Sequence, residues 1–460
     1  MMRAASQLKE TELLRERPVA STRPVAFRDN GGDEISAAVD RSLFALKSWV
    51  EKRDYAGHEP FDILSSPLLR GRWARWWPLA MVLIQFGKRW GGLRLRRWLR
   101  VQPSKNPKAL GLFLSAYCDF ARCGDDTHHE AAYLKSELKR LRSPNEPEYC
   151  WGYDWPYVSR GGGMRAFIPN CIATCFSAHA LLDMAEVFGD AEAQEMAHSA
   201  GRFLITRLNR SVDTPDYLCL SYTPLDRSKI YNASALAGAL LARLAELDPE
   251  YRKIARRTMN YLVASQQPDG AWYYGPARIH RWIDGFHTGY NLEALLNYQR
   301  YTGDTTFDDA IRLGYEYYIS NFFRADGAPK YFHNSVYPID IHSCSQAILT
   351  FCDFTEQDKR ARERALNVTR WTLEHMLGAD GAFFFQVHRF WTNDTPYMRW
   401  GQAWMLHALA RLKRQYLRPD VSRTKSLSLP RPLRPITEPR PANAETRSRI
   451  RGTHASAFDG

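Results

Sequence analysis

The sequence predicts an all-α protein, an (α/α)6 toroid of six helical hairpins with short β-hairpins in the loops at one end. Three observations predict this fold. Charged and apolar helical segments alternate along the chain, acidic breaks recur at a regular interval, and Asp-Gly turns repeat before short aromatic runs. In such a toroid the apolar helices form an inner ring and the charged helices an outer ring.

The outer helices are predicted from one shared plan, an acidic or Gly-Asp break followed by an amphipathic segment with its charges on one side. The breaks lie near Gly124, Gly189, Asp248, Gly303 and Thr355. Their spacing of roughly 50 to 65 residues matches a long helical hairpin with its loop. With Ile35 to Glu51 as the first member, the outer helices number six.

The inner helices are predicted from segments rich in Ala, Gly, Ser and Leu, a composition typical of helices packed on several sides. One such segment precedes each break, and a sixth closes the toroid: PKALGLFLSAYCDF, NCIATCFSAHALLDMAEVF, NASALAGALLARLAEL, HTGYNLEALLNYQRY, HSCSQAILTFCDF and RWGQAWMLHALARL.

Three outer helices are followed by a similar turn, PDGAWYYG, ADGAPKYF and ADGAFFFQ, and each turn leads into aromatic residues that predict short strands. An aspartate follows each turn just before an inner helix, at Asp284, Asp340 and Asp394. Any one of these residues, taken alone, is best interpreted as a helix N-cap, as are Asn106, Asn170 and Asn232. Their repetition at one end of a toroid favours a shared site.

The net charge of +13 is concentrated in a basic Trp/Arg-rich segment at 70–109 and in the tail. The sequence predicts three parts: a flexible segment at 1–33, the toroid at 34–417 including the basic segment, and a flexible Pro/Arg-rich tail at 418–460. The basic segment either packs along the outside of the domain or contacts a membrane surface or a partner of a biosynthesis complex through 70–100.

Several classes are disfavoured. The charged first residues lack a secretory signal, and no stretch reaches the length of a membrane span, so we expect a cytoplasmic protein, peripheral to the inner membrane if the basic segment binds there. The eight cysteines show no C-x-x-C spacing. We therefore expect no metal and no cofactor, and without a recognised reader motif no nucleic-acid partner.

One turn resembles a motif of another family of toroids. SQQPDGAWYYG is similar to the Q-x-x-D-G-x-W turn of terpenoid cyclases, whose glutamine and tryptophan brace an outer helix. The chain lacks the D-x-D-D acid cluster that cyclisation needs.

The chain from about Tyr55 to Leu412 resembles the polysaccharide biosynthesis proteins of bacterial exopolysaccharide and capsule clusters. The segments that carry this resemblance are NPKALGLFLSAY, WGYDWPY, SYTPLDRSKIYNASALAGALLARL, WIDGFHTGYNLEALL, YPIDIHSCSQAI and PYMRWGQAWML. It implies a six-hairpin glycosidase-like fold and a role with polysaccharide; PYMRWGQA also resembles the end of glucuronyl C5-epimerase domains.

The loops that enter the inner helices gather at one mouth of the toroid, so their aromatic and polar residues are expected to form a sugar site. The catalytic candidates are Asp340 and Asp284, assisted by His342 and His287, with Asp154 as a third carboxyl. The candidates for substrate binding are Tyr153, Trp155, Tyr222, Tyr231, Asn232, Trp272, Tyr274, Trp282, Tyr331, Tyr397, Arg399, Trp400 and Gln402.

Three functions fit this inventory. The first is cleavage or modification of a polysaccharide, neutral or acidic, by the acid/base chemistry of two carboxyl groups, as in glycoside hydrolases. The second is a uronate lyase or C5-epimerase, in which Asn, Arg or His neutralises a carboxylate and Tyr or His removes the C5 proton. The third is a glycan-binding protein of a synthesis complex without turnover. The sequence does not separate them.

Overall fold

The computed structural model describes residues 32–69, 77–159, 162–246 and 248–417. The tail predicted to be flexible and nearly all of the predicted N-terminal flexible segment lie outside the described residues. So does the start of the basic segment, at 70–76.

Twelve helices of the described chain alternate between an outer and an inner ring, which confirms the predicted (α/α)6 toroid. The outer helices are α1 (Gly32–Glu51), α5 (His128–Arg140), α7 (Ala191–Arg207), α9 (Pro249–Ala264), α11 (Asp308–Asn321) and α13 (Ala361–Met376). The inner helices are α4 (Pro107–Arg122), α6 (Cys171–Phe188), α8 (Tyr231–Arg243), α10 (Gly285–Thr302), α12 (Ile341–Asp353) and α14 (Trp404–Leu412). A π-helical turn, Met398–Ala403, leads into α14, and another, Lys413–Leu417, follows it.

The ring closes because each inner helix packs against the next and α14 packs against both α4 and the first outer helix, α1. Small residues permit this close approach. A Cβ atom on Gly111 of α4 would lie 3.1 Å from the Phe176 carbonyl oxygen of α6. Within the described residues only α6 is long and apolar enough to cross a membrane, and 61% of it is buried inside the toroid.

The repeated Asp-Gly turns end the outer helices as predicted. In each turn the aspartate side chain accepts a hydrogen bond from the backbone N–H two residues later, as Asp269 does from Ala271. The glycine adopts a positive φ, which a side chain disfavours: Gly270, Gly327 and Gly381.

Seven short strands of the described chain lie in the loops that run from an outer helix to the next inner helix, and therefore at one end of the toroid. They form antiparallel pairs and one three-stranded sheet. The strands are β1 (Tyr157–Ser159), β2 (Gly162–Met164), β3 (Arg210–Asp213), β4 (Leu218–Leu220), β5 (Ile339–Asp340), β6 (Gln386–Val387) and β7 (Thr392–Asn393). Short 3-10 turns occur at Asp62–Ser65, Pro67–Leu69 and Arg278–His280.

The described part of the basic segment folds across this same end as two helices, α2 (Trp77–Arg89) and α3 (Gly92–Trp98), which we call the strap. Arg96 of α3 is fully buried and donates to the Asp62 carboxylate at 2.8 Å and to the Glu59 carbonyl at 2.6 Å. The side chain of Asn393 donates to the Lys88 carbonyl at 3.1 Å. The segment is therefore part of the mouth, because its polar groups bond to the loops there.

Candidate active site

Asp340 begins α12 at the centre of the mouth and has no exposed surface. Its Oδ1 accepts from the His342 backbone N–H at 2.9 Å and from Trp400 Nε1 at 2.8 Å, and its Oδ2 accepts from Gln386 Nε2 at 2.6 Å. Burial raises the pKa of Asp340, and the nearby Lys88 ammonium opposes the shift. Asp340 therefore both caps the helix, as its position predicts, and holds the Trp400 indole in place.

Asp284 begins α10 in the same way and orients a histidine. Its Oδ1 accepts from the His287 backbone N–H at 2.9 Å, and its Oδ2 accepts from Trp282 Nε1 at 2.9 Å and lies 2.7 Å from His287 Nδ1. Because a carboxylate only accepts, the imidazole proton lies on Nδ1 and the Nε2 lone pair is left for chemistry. The His287 side chain is 21% exposed, so a ligand reaches it.

A second histidine lies on a buried polar chain. Tyr290 Oη lies 2.6 Å from His342 Nε2, and Lys108 Nζ lies 3.5 Å from Tyr290 Oη. The lysine is enclosed by rings, with Nζ 4.1 Å from the Phe176 centroid and 5.0 Å from that of Trp404. Burial lowers the pKa values of His342 and Lys108 and raises that of Tyr290. The tyrosine thus donates to a neutral imidazole, whose remaining proton lies on Nδ1.

Arg399 and Glu59 form a buried contact on the other side of the mouth, with side chains 4% and 3% exposed. The guanidinium lies 2.9 Å from the carboxylate, which also accepts from the Arg399 backbone N–H at 2.9 Å. Tyr153 and Trp155 stack on each other at 5.0 Å, and Arg399 lies 5.3 Å from both ring centroids. Burial raises the pKa of Glu59 to about 8 despite the arginine.

Asp154 is tied to the start of α4. Its carboxylate accepts from Asn106 Nδ2 at 2.7 Å and from the Ser104 hydroxyl. Asn106 in turn caps α4 by accepting from the Lys108 backbone N–H at 3.1 Å, so the predicted cap is confirmed. Burial raises the pKa of Asp154. This carboxyl positions the helix end that carries the central lysine.

Four donors around Lys108 and Arg399 have no acceptor within the described part of the chain: His342 Nδ1, Trp404 Nε1, Trp155 Nε1 and Arg399 Nε. The His342 and Trp404 rings lie 4.5 Å apart, which places these two donors together. A buried donor without a partner costs about 1–3 kcal/mol. The group is therefore complementary to a ligand rich in acceptors, above all an anionic one.

Further predicted residues form the walls of the mouth. Tyr222 and Tyr153 approach with their hydroxyl oxygens 3.2 Å apart. On the opposite wall Tyr274 stacks on Trp282 at 4.6 Å, and Tyr274 also lies 4.6 Å from the His287 ring. Tyr331 packs 5.4 Å from Phe286, which stacks on the His342 ring. These stacked, partly exposed faces suit the C–H surface of a sugar.

Two predicted binding residues bond to the backbone of the barrel wall instead. Trp272 is 2% exposed and donates through Nε1 to the Leu262 carbonyl of α9 at 3.0 Å. It braces the outer helix, as the resemblance of its turn implies. Gln402 is fully buried and binds both the N–H and the carbonyl of Phe383 at 2.8 Å.

Three others lie apart from the central donors. Tyr231 packs 5.6 Å from Tyr261, and Tyr397 lies under the Arg96 guanidinium at 4.8 Å. Asn232 is 3% exposed, but it is not the predicted cap, because α8 begins at Tyr231 and its capping position is Ile230. Asn232 Oδ1 has no partner among the described residues.

The sequence interpretation missed four residues of this site: Glu59, Lys88, Lys108 and Tyr290. Two of them carried a signal. Lys108 is a lysine at the start of an inner helix that carries no other charge before Asp119, and Tyr290 stands three residues after His287, on the same helix face. Within the described chain no three His, Cys, Asp or Glu side chains converge as metal ligands.

No protein-family model matches the sequence, and no curated protein sequence matches it either. Solved structures share the fold. Cellobiose 2-epimerase from Bacillus thermoamylovorans B4167 superposes with a TM-score of 0.54 at 11% identity, covering 67% of this chain and 88% of the enzyme. An unsaturated glucuronyl hydrolase specific for heparin gives 0.54 at 11% identity, over 83% of this chain and 97% of its own. The GH76 α-mannanase BT2949 of Bacteroides thetaiotaomicron gives 0.51 at 14%, over 68% and 88%. These neighbours are carbohydrate-processing enzymes with a six-hairpin glycosidase-like toroid.

Proposed function

We propose that the protein is a carbohydrate-active enzyme of exopolysaccharide or capsule biosynthesis that modifies an acidic polysaccharide by proton transfer, as a uronate epimerase or lyase does. One observation carries this proposal. Four buried donors without an acceptor among the described residues surround Lys108 and Arg399, so the site suits an anionic, oxygen-rich group. A uronate carboxylate is such a group, because its charged oxygens accept stronger hydrogen bonds than the hydroxyls of a neutral hexose do.

The proposed base is His287. Asp284 fixes the imidazole with its proton on Nδ1, so that Nε2 takes the proton from the sugar carbon next to the carboxylate. Negative charge then moves onto the carboxylate oxygens, where His342 Nδ1–H and Arg399 stabilise it. In epimerisation solvent water delivers a proton to the opposite face of that carbon, and His287 releases to water the proton that it took. In elimination the C–O bond at the neighbouring carbon breaks, its electron pair leaves with the oxygen, which takes the proton from His287, and a double bond forms between the two carbons.

Hydrolysis is the second candidate, and Glu59 is the observation in its favour. With a pKa of about 8, this carboxyl is protonated near neutral pH, as a general acid must be. Asp154, whose charge acts on Glu59, is the second carboxyl. In this scheme Asp340 and Asp284 are positioning residues, because both are buried helix caps, 0% and 2% exposed, whereas Asp154 is partly exposed.

Both schemes are consistent with the neighbours, which include epimerases and hydrolases on the same toroid. Fold alone does not transfer an activity, since toroids of one architecture host different chemistries. The biosynthetic role itself is supported by the resemblance of the segments between Tyr55 and Leu412 to polysaccharide biosynthesis proteins.

The test is proton NMR of acidic and neutral polysaccharides incubated with the protein in D2O. Loss of the H5 signal without cleavage indicates an epimerase, and vinyl signals indicate a lyase. Neither change should occur with His287→Gln, whose amide still donates to Asp284. Whichever change the wild type produces should persist with His375→Gln on the outer helix α13. New reducing ends alone favour hydrolysis by Glu59. No change with any polymer favours a binding protein without turnover.

A further inference from the structure

The outward face of the strap exposes large apolar side chains that no part of the described chain covers. Val82, Phe86 and Trp90 are 63%, 52% and 62% exposed and follow one another at intervals of four residues. This spacing places them on one side of α2 and its C-terminal end. On α3, Trp98 is 73% exposed. Together these residues form an apolar stripe, which is unusual on a surface that contacts only water.

Basic residues border the stripe. Arg89 at the end of α2, Arg94 and Arg97 on α3, and Arg100 just beyond it are all exposed. No aspartate or glutamate occurs anywhere between residues 63 and 118. The nearest exposed acid in the loop packed against the strap is Asp394. The outward face is thus cationic as well as apolar.

Of these outward residues only Trp90 has a ring contact with the toroid within the described chain, a stack on Trp391 with the centroids 5.0 Å apart, and other residues attach the strap. Ile84 packs into a small core of its own beneath the helices, and Arg96 bonds to Asp62. Lys88 points inward, with Nζ 5.7 Å from the Trp400 ring centroid. The strap therefore has an inner face that holds it to the toroid and an outer face left for another partner.

We propose that this outer face docks on the surface of an anionic lipid bilayer. Tryptophan and arginine favour the headgroup region, and the Val82–Phe86 ridge inserts apolar groups below it. A sugar polymer stacks on aromatic rings but gains little from the aliphatic Val82 side chain, which a lipid phase buries favourably. Charge complementarity selects lipids with negative headgroups over neutral ones. The inference does not depend on the proposed reaction.

Docking in this way fixes the orientation of the enzyme. The helix that carries the outward stripe also carries Lys88, which faces Asp340 and Trp400 at the mouth. The mouth of the toroid and the docking face therefore lie at the same end of the molecule. A glycan held at the membrane surface, such as one still attached to a lipid carrier, would meet the mouth directly.

The experiment is co-sedimentation of the full-length protein with vesicles of phosphatidylcholine, alone or mixed with phosphatidylglycerol. We expect binding to the mixed vesicles only. Phe86→Ser should weaken it by about tenfold or more, and Arg94→Ser by about fivefold. The matched controls are Phe44→Ser, which changes a 77% exposed phenylalanine on the outer helix α1, and Lys253→Ser on α9.

Circular dichroism of each variant shows whether it folds, and all four side chains are on the surface. Unchanged binding in Phe86→Ser and Arg94→Ser would assign vesicle binding to the basic tail and overturn the proposal. Two further results would also overturn it: a dimer in sedimentation velocity that Phe86→Ser dissociates while vesicles do not bind, or retention on an acidic polysaccharide, without vesicle binding, that the same change abolishes.

Discussion

The raised pKa of the buried Glu59 carboxyl predicts how the free energy of unfolding depends on pH. Its pKa is raised to about 8 from an ordinary value of 4.5. Between these values the folded protein holds a proton on Glu59 that the unfolded chain has released. The free energy of unfolding therefore falls as pH rises through this window, by about 1.4 kcal/mol per pH unit for one proton.

Glu59→Gln removes this dependence, because an amide has nearly the shape of a protonated carboxyl and does not ionise. We expect the two proteins to differ by no more than about 1 kcal/mol near pH 5. Between about pH 5 and pH 8 the difference should move by about 4 kcal/mol in favour of the variant. Other titrating groups cancel, since both proteins share them.

The assay is urea unfolding followed by tryptophan fluorescence at several pH values across that window. Glu316→Gln on the outer helix α11 is the matched control, because its carboxylate is 37% exposed and pairs only at the surface. A difference between Glu59→Gln and the wild type that stays constant with pH would refute the reasoning. It would mean that Arg399 keeps Glu59 ionised throughout.

Three further predictions concern other parts of the fold and site. Asp284→Asn should reduce turnover by about 10²–10⁴-fold with the fold intact, because the histidine loses the acceptor that sets its tautomer; kinetics with circular dichroism measure both. Trp272→Phe should lower the free energy of unfolding by about 1–3 kcal/mol without changing the affinity for sugar, because the Trp272 indole donates its hydrogen bond to the Leu262 carbonyl. Gly270→Ala should destabilise by more than about 1 kcal/mol in urea, because its φ is +96° and a Cβ would lie 2.3 Å from the Leu313 carbonyl oxygen.

The fold was predictable because an inner toroid helix is buried on all sides and an outer one on a single side. This difference in burial determines the local amino-acid composition, so that the inner helix α6 is apolar and the outer helix α7 that follows it is charged. The Asp-Gly turns were predictable for a similar reason, since only glycine adopts their positive φ without strain.

The site was predictable only where function coincides with a local signal. Asp284 and Asp340 are predictable as helix caps because capping residues stand at helix starts, and their role in a site stays a prediction. Glu59 gave no such signal, because its partner Arg399 lies 340 residues further along the chain. For the strap the sequence shows only a segment rich in tryptophan and basic residues, and the buried bond from Arg96 to Asp62 is visible only in three dimensions.

The central claim is that the mouth of the toroid receives an anionic sugar. Isothermal titration with a uronate oligosaccharide and with its methyl ester tests it most directly, because only the charge differs. We expect the acid to bind at least about tenfold more tightly than the ester. We also expect Lys108→Met to reduce this difference in affinity. Equal affinities for acid and ester would contradict it.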